Sequence, residues 1–209
     1  MTEKYLSGQQ YAIMIFLLLI GSNLVFLTGN VASQNAWLST LMGSLFGAYV
    51  LYAITLIHDL YPGQRITRIS TDVLGKFLGT LLNCLFFWSA FTILITLLYD
   101  ILMLLEIIYP LLPRVVLLPL LVLPCCYCLY KGMTVLGRLG EMIIFISVLI
   151  VIGGIMLALP QVDLANLKPF GESWRAIAAG TLYAADWPFD EVIIFALFLP
   201  MVSHLEQNK

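Results

Sequence analysis

Residues 176–202 read AIAAGTLYAADWPFDEVIIFALFLPMV, an apolar run interrupted near its middle by Asp186, Asp190 and Glu191 around Trp187, Pro188 and Phe189. The run is long enough to cross a bilayer, which takes about 20 apolar residues. An ionised group near the centre of such a run costs roughly 2.5 to 3.5 kcal/mol on insertion scales, so acids found there point to a function. Pro188 removes a helical hydrogen bond and leaves a carbonyl to be satisfied by water, a ligand or a neighbouring helix. The stretch therefore reads as a broken crossing helix with carboxylates at its break, a pattern suited to a binding or ion site.

The rest of the chain agrees with a membrane setting. Hydrophobic residues make up 61% of the 209 and charged residues 11%, with a mean hydropathy of +0.99. Soluble domains hold about 45 to 50% apolar and about 25% charged residues. The expected fold class is an all-α integral membrane protein, with residues 1–209 as a single membrane domain. Candidate helices cover residues 11–29, 36–57, 77–104, 115–130, 142–159 and 176–202, the third extending toward Glu106. The first run exceeds the 7 to 15 residues of a signal-peptide core and reads as a retained helix. The fourth carries Pro119 and Pro124, which kink it or carry one end into the interface.

Residues 58–76 form a cytoplasmic loop that opens on a Pro62-Gly63 turn and continues as a surface helix or a solvated stretch. With both termini cytoplasmic, Lys4, Arg65, Arg68, Lys76, Lys131, Arg138 and Lys209 lie inside, against Arg114, Lys168 and Arg175 outside. That asymmetry follows the positive-inside rule. The net charge of −2, with no basic run, argues against nucleic acid as a partner and leaves the lipid bilayer.

Enzyme and metal chemistry lack their residues. There is no H-E-x-x-H, G-x-S-x-G or G-x-x-x-x-G-K-[ST] pattern, and no cofactor is implied. Cys84, Cys125, Cys126 and Cys128 fall in apolar stretches and read as reduced thiols, while His58 and His204 lie outside the apolar spans.

Several polar groups within the apolar spans could carry function. Gly21, Ser22 and Asn23 fall near the middle of the first span, where they either interrupt the helix and free backbone amides for a ligand carboxylate, or bond to a neighbouring helix. Transporters with discontinuous helices place such freed groups at the midplane. A buried carboxylate of the acidic cluster would suit proton coupling as well as amine binding. Ser89, Thr92 and Thr96 form a polar stripe at helical spacing, with Tyr99 and Asp100 beyond; it lines a pathway or bonds to its own helix carbonyls. Ser39, Gly43 and Gly47 recur every four residues and permit close approach of another helix. Ser7 and Gln10 have capping-box spacing, which starts the first helix near Gly8. Arg138 and Glu141, three apart, are expected to pair at the interface.

The order of these pieces resembles the B subunit of spore germinant receptors, the GerAB-like spore germination permease family of the amino acid/polyamine/organocation transporter superfamily. The matching residues are Ser7 with Gln10, Gly21-Ser22, Gln34-Asn35-Ala36-Trp37, Pro62-Gly63, Leu74-Gly75-Lys76 with Gly79, Leu112-Pro113, Gly132, Arg138, Glu141, and Pro188-Phe189 with Glu191. The resemblance implies a LeuT-like bundle in which the first and sixth spans are unwound around a small germinant, an amino acid in many members. On that reading Gly21 and Ser22 offer backbone groups to the ligand carboxylate and Pro188, Phe189 and Glu191 form the opposite wall; Asn23, Asp186 and Asp190 join the candidate site through the pairing of the two polar interruptions. It further implies a non-enzymatic subunit, partnered by receptor A and C subunits in the cell membrane or spore inner membrane. Asp190 stands where the family pattern has glycine. The chain covers about the first six of an expected ten helices, so a truncated, inactive copy is one expectation. A proton- or cation-coupled amino-acid transporter and a non-binding assembly remnant are the alternatives.

Overall fold

The computed structural model describes residues 6–25, 28–163 and 173–202. Lys4, Lys168 and Lys209 of the charge comparison, and His204, lie outside them. The described residues are mostly helical: α1 (Gly8–Val25), a 3-10 segment (Thr28–Asn35), α2 (Ala36–Leu60), α3 (Ile66–Ile108), α4 (Arg114–Lys131), α5 (Met133–Ala158), a 3-10 turn (Leu159–Gln161), α6 (Trp174–Asp186) and two more 3-10 segments (Phe189–Leu197 and Leu199–Met201). Among the described residues four stretches are long and apolar enough to cross a membrane: Asn30–Leu60, Ile66–Ile108, Arg114–Lys131 and Met133–Gln161. The fold is an all-α membrane fold.

Local chemistry sets several of the boundaries. Gln10 N donates to Ser7 Oγ and Ser7 N to Gln10 Oε1, both at 3.1 Å, so the capping box forms and α1 begins at Gly8. Pro113 precedes α4, and Gly132 follows it at φ 101°. Inside α3, Gly75 takes φ 78° and ψ 168°, a backbone state that side chains resist, and the chain turns there. Residues 66–74 fold back on the start of 76–108. Asn83 holds the corner, its Nδ2 donating to Thr67 O at 2.8 Å while its Oδ1 accepts from Ser70 Oγ at 2.7 Å.

The chain divides into two compact units. One comprises the residues up to Tyr11, Ile57–Arg138, and Ile194 onward. In it Leu6, fully buried, donates its N–H to Met201 O at 2.8 Å, and Tyr11 donates its hydroxyl to Phe195 O at 3.0 Å with the two rings edge to face. Arg114, at the start of α4, grips Glu106, near the end of α3, with a two-pronged contact. That geometry binds a guanidinium more firmly than a single hydrogen bond would.

The other unit comprises Ala12–Leu56 and Leu139–Ile193. Here α2 and α6 meet along the small-residue face of α2. Ser39, wholly buried, donates to Ile177 O at 3.1 Å. A Cβ on Gly43 would lie 2.6 Å from Ala184 Cβ, and one on Gly47 would lie 3.0 Å from Phe189 Cβ. The close approach expected from the four-residue repeat is therefore made, and its partners are α6 and the residues after its end.

Two expectations are corrected. Arg138 and Glu141 do not pair; among the described residues the ion pairs are Arg68–Asp72 and Arg114–Glu106. An exposed arginine gains little from such a contact. Nor do Gly21, Ser22 and Asn23 unwind the first span, because α1 runs unbroken through them to Val25. Asn23 Nδ2 donates to Leu19 O at 2.8 Å, one turn back, and Ser22 bonds elsewhere, so neither displaces a helical backbone bond.

Candidate functional site

The second unit holds the polar centre of the chain. Helix α6 ends at Asp186, where Trp187 turns extended (φ −151°, ψ 125°) and its N–H closes the last turn on Tyr183 O. Pro188 follows with no N–H to give, and the chain resumes as the 3-10 segment from Phe189. The break therefore falls where the proline and the acids lie.

Glu191 sits one turn into that segment, with only 1% of its surface exposed. A buried carboxylate needs donors for its oxygens, since desolvation is otherwise uncompensated. Ser22 Oγ on α1 donates to Oε2 at 2.9 Å, and Trp187 Nε1 donates to Oε1 at 2.7 Å. Each oxygen is thus held by a different element, Ser22 from the intact helix and Trp187 from the break itself. The result is a rigid acid that joins α1 to the interruption after α6.

The other site residues expected from sequence fall into distinct places. Pro188 and Phe189 are buried, with Phe189 against Gly47. Gly21 is exposed and has open space where a Cβ would stand. Asn23 is tied to its own helix. Asp186 and Asp190 line an open groove of about 970 Å³ between α2 and α6, so they do not share the pocket of Glu191. Ser89, Thr92 and Thr96 belong to α3 in the first unit, where Thr92 donates to Trp88 O at 3.0 Å. Trp187, which the sequence reading used only to frame the acids, is a direct partner of Glu191. The four-residue spacing was the available signal, but it carries weight only once the intervening residues are known to turn.

The arrangement can do two things chemically. The Ser22–Glu191–Trp187 cluster offers a buried acid whose donors a ligand could replace, and among the described residues no group of three metal-ligating side chains comes together. The groove presents carboxylates beside apolar side chains.

Comparison with known proteins gives the same family as the residues. Residues 5–209 match the spore permease family, described as spore germination protein. The chain is 28% identical over 217 aligned residues to spore germination protein KB of Bacillus subtilis (strain 168), an alignment that covers 100% of this chain and 57% of that protein. No solved structure matches it. A family match running from Leu6 through the break to the end of the described residues makes the chain a member of the spore permease family of spore germination proteins.

Proposed function

We propose that the chain acts as the membrane subunit of a germinant receptor and recognises a small ligand, an amino acid as the leading class, where α1 meets the break after α6. Its role is recognition rather than catalysis. The observation that carries this reading is the Ser22–Glu191 hydrogen bond, which couples the polar patch of the first span to the interrupted sixth across 169 residues of sequence. Ligand groups compete for Glu191 and for the backbone around Pro188, with Gly21 leaving open space on α1, and the competition shifts α1 against the break. Asn23 and Phe189 complete the surroundings of that junction, while Asp186 and Asp190 line the separate groove.

Family membership supports a role in germination, and the interrupted segment supports a LeuT-like organisation, in which broken helices enclose a midplane site. On this reading the termini are cytoplasmic, the membrane is the spore inner membrane, and receptor A and C subunits are the partners. The polar stripe of Ser89, Thr92 and Thr96, in the other unit, is assigned to a pathway.

Spores that depend on this protein provide the test. Glu191→Gln puts an NH2 donor where an acceptor is needed, so the amino-acid concentration for half-maximal germination should rise about tenfold or more, equivalent to 1.4 kcal/mol. Asp72→Asn, at an exposed pair, should leave it unchanged at equal protein abundance. An unaltered response of the Glu191 variant overturns the site. Accumulation of amino acid in vesicles under a proton gradient would instead identify a coupled transporter.

A further inference from the structure

The groove between α2 and α6 has a makeup that neither water nor lipid satisfies. Leu45 and Phe46 on one wall are 65% and 49% exposed, and Leu182 and Tyr183 on the other are 72% and 62% exposed. Hydrocarbon suits those side chains. It does not suit Asp186 and Asp190, which line the same groove near the middle of the apolar run 176–202. Neither carboxylate has a cationic partner among the described residues, whose ion pairs are Arg68–Asp72 and Arg114–Glu106. Acids in such positions pair with bases or face the bundle interior.

Charge complementarity selects the occupant. We infer that this groove docks an apolar membrane-spanning helix that carries a lysine or arginine near its middle. The cation answers the two carboxylates, and the aliphatic side chains around it fill the wall of Leu45, Phe46, Leu182 and Tyr183. A second copy of this chain fits poorly, because Arg114, Lys131 and Arg175 stand at helix ends and Arg138 lies in the second turn of α5, so none of these comes near the middle of its helix. A small amine fits poorly too, since small-molecule sites enclose most of the ligand surface and this groove lies open along its length. The inference goes beyond the ligand reading and leaves Ser22 and Glu191 out of the contact.

The test uses the full chain in phosphatidylcholine vesicles with synthetic leucine–alanine membrane-spanning peptides bearing one central lysine, leucine or glutamate. Peptide retained on the tagged chain after mild detergent extraction is the readout. The lysine peptide should be retained at least about tenfold over the leucine peptide, and D186N/D190N, checked for an unchanged unfolding midpoint, should abolish the difference. Asp190→Lys should reverse the preference toward the glutamate peptide, which keeps the test valid even if the double variant folds poorly. Three results overturn the proposal: equal retention of lysine and leucine peptides, a lysine preference that survives D186N/D190N, or displacement by millimolar butylammonium. Spores carrying D186N/D190N keep Glu191 and Ser22, so failure here is separable from failure of the ligand site.

Discussion

Ser22 Oγ lies 2.9 Å from Glu191 Oε2, and this contact makes one unit of a polar patch on an intact helix and an acid beside a broken one. The second oxygen of Glu191 is taken by the Trp187 indole, so the acid has a donor on each side. Its burial is tolerable because both donors are supplied by the fold.

The two residues should therefore be energetically coupled. Ser22→Ala removes the Oγ donor from Oε2, and Glu191→Gln sets an amide against the Ser22 and Trp187 donors; each should destabilise the protein by about 1 to 3 kcal/mol. In a double-mutant cycle read by thermal unfolding in detergent, the combined loss should fall short of the sum by at least about 0.5 kcal/mol. Full additivity would show that the contact contributes nothing.

Trp187→Phe keeps an aromatic ring at the end of α6 and removes the Nε1 donor. Unfolding stability should drop by about 1 to 2 kcal/mol, most of it absent in a Glu191→Gln background. A loss of the same size in both backgrounds would assign Trp187 to packing alone.

Two glycines should behave in opposite ways. Gly43→Ala forces a methyl within 2.6 Å of Ala184, on the buried face shared with α6, and should cost about 1 to 3 kcal/mol. Gly21→Ala adds a methyl into open space on a continuous helix and should be neutral or stabilising by up to about 1 kcal/mol. Circular dichroism melts of the two variants decide between them, and a destabilised Gly21 variant would mean that the helix is unwound at that point.

Ser7→Ala removes the acceptor for Gln10 N and should cost about 0.5 to 2 kcal/mol. Hydrogen exchange confined to the first turn of α1 should rise with it. An unchanged exchange pattern would show that the cap is dispensable.

The sequence carried the parts of this picture that depend on local chemistry. Ser7 and Gln10 act across three residues, and the Ser39-Gly43-Gly47 repeat marks a close-packed face whatever its partner is. Pro188 cannot donate, so an interruption there follows from its covalent structure. The rest depends on tertiary context. Gly21-Ser22-Asn23 has the composition of a break, yet it remains helical because Asn23 bonds within its own helix and Ser22 reaches Glu191. Nothing in residues 176–202 alone says that Asp190 turns toward a groove while its neighbour Glu191 turns into the interior; that division is set by packing against α2 and α1.

The most direct measurement of the central claim is the emission of Trp187 in a chain whose Trp37, Trp88 and Trp174 are phenylalanine, reconstituted in bilayers and titrated with a panel of L-amino acids. A saturable change is expected with at least one amino acid that also germinates dependent spores, and it should be lost in Glu191→Gln. Emission that stays flat for an amino acid to which those spores respond would contradict it.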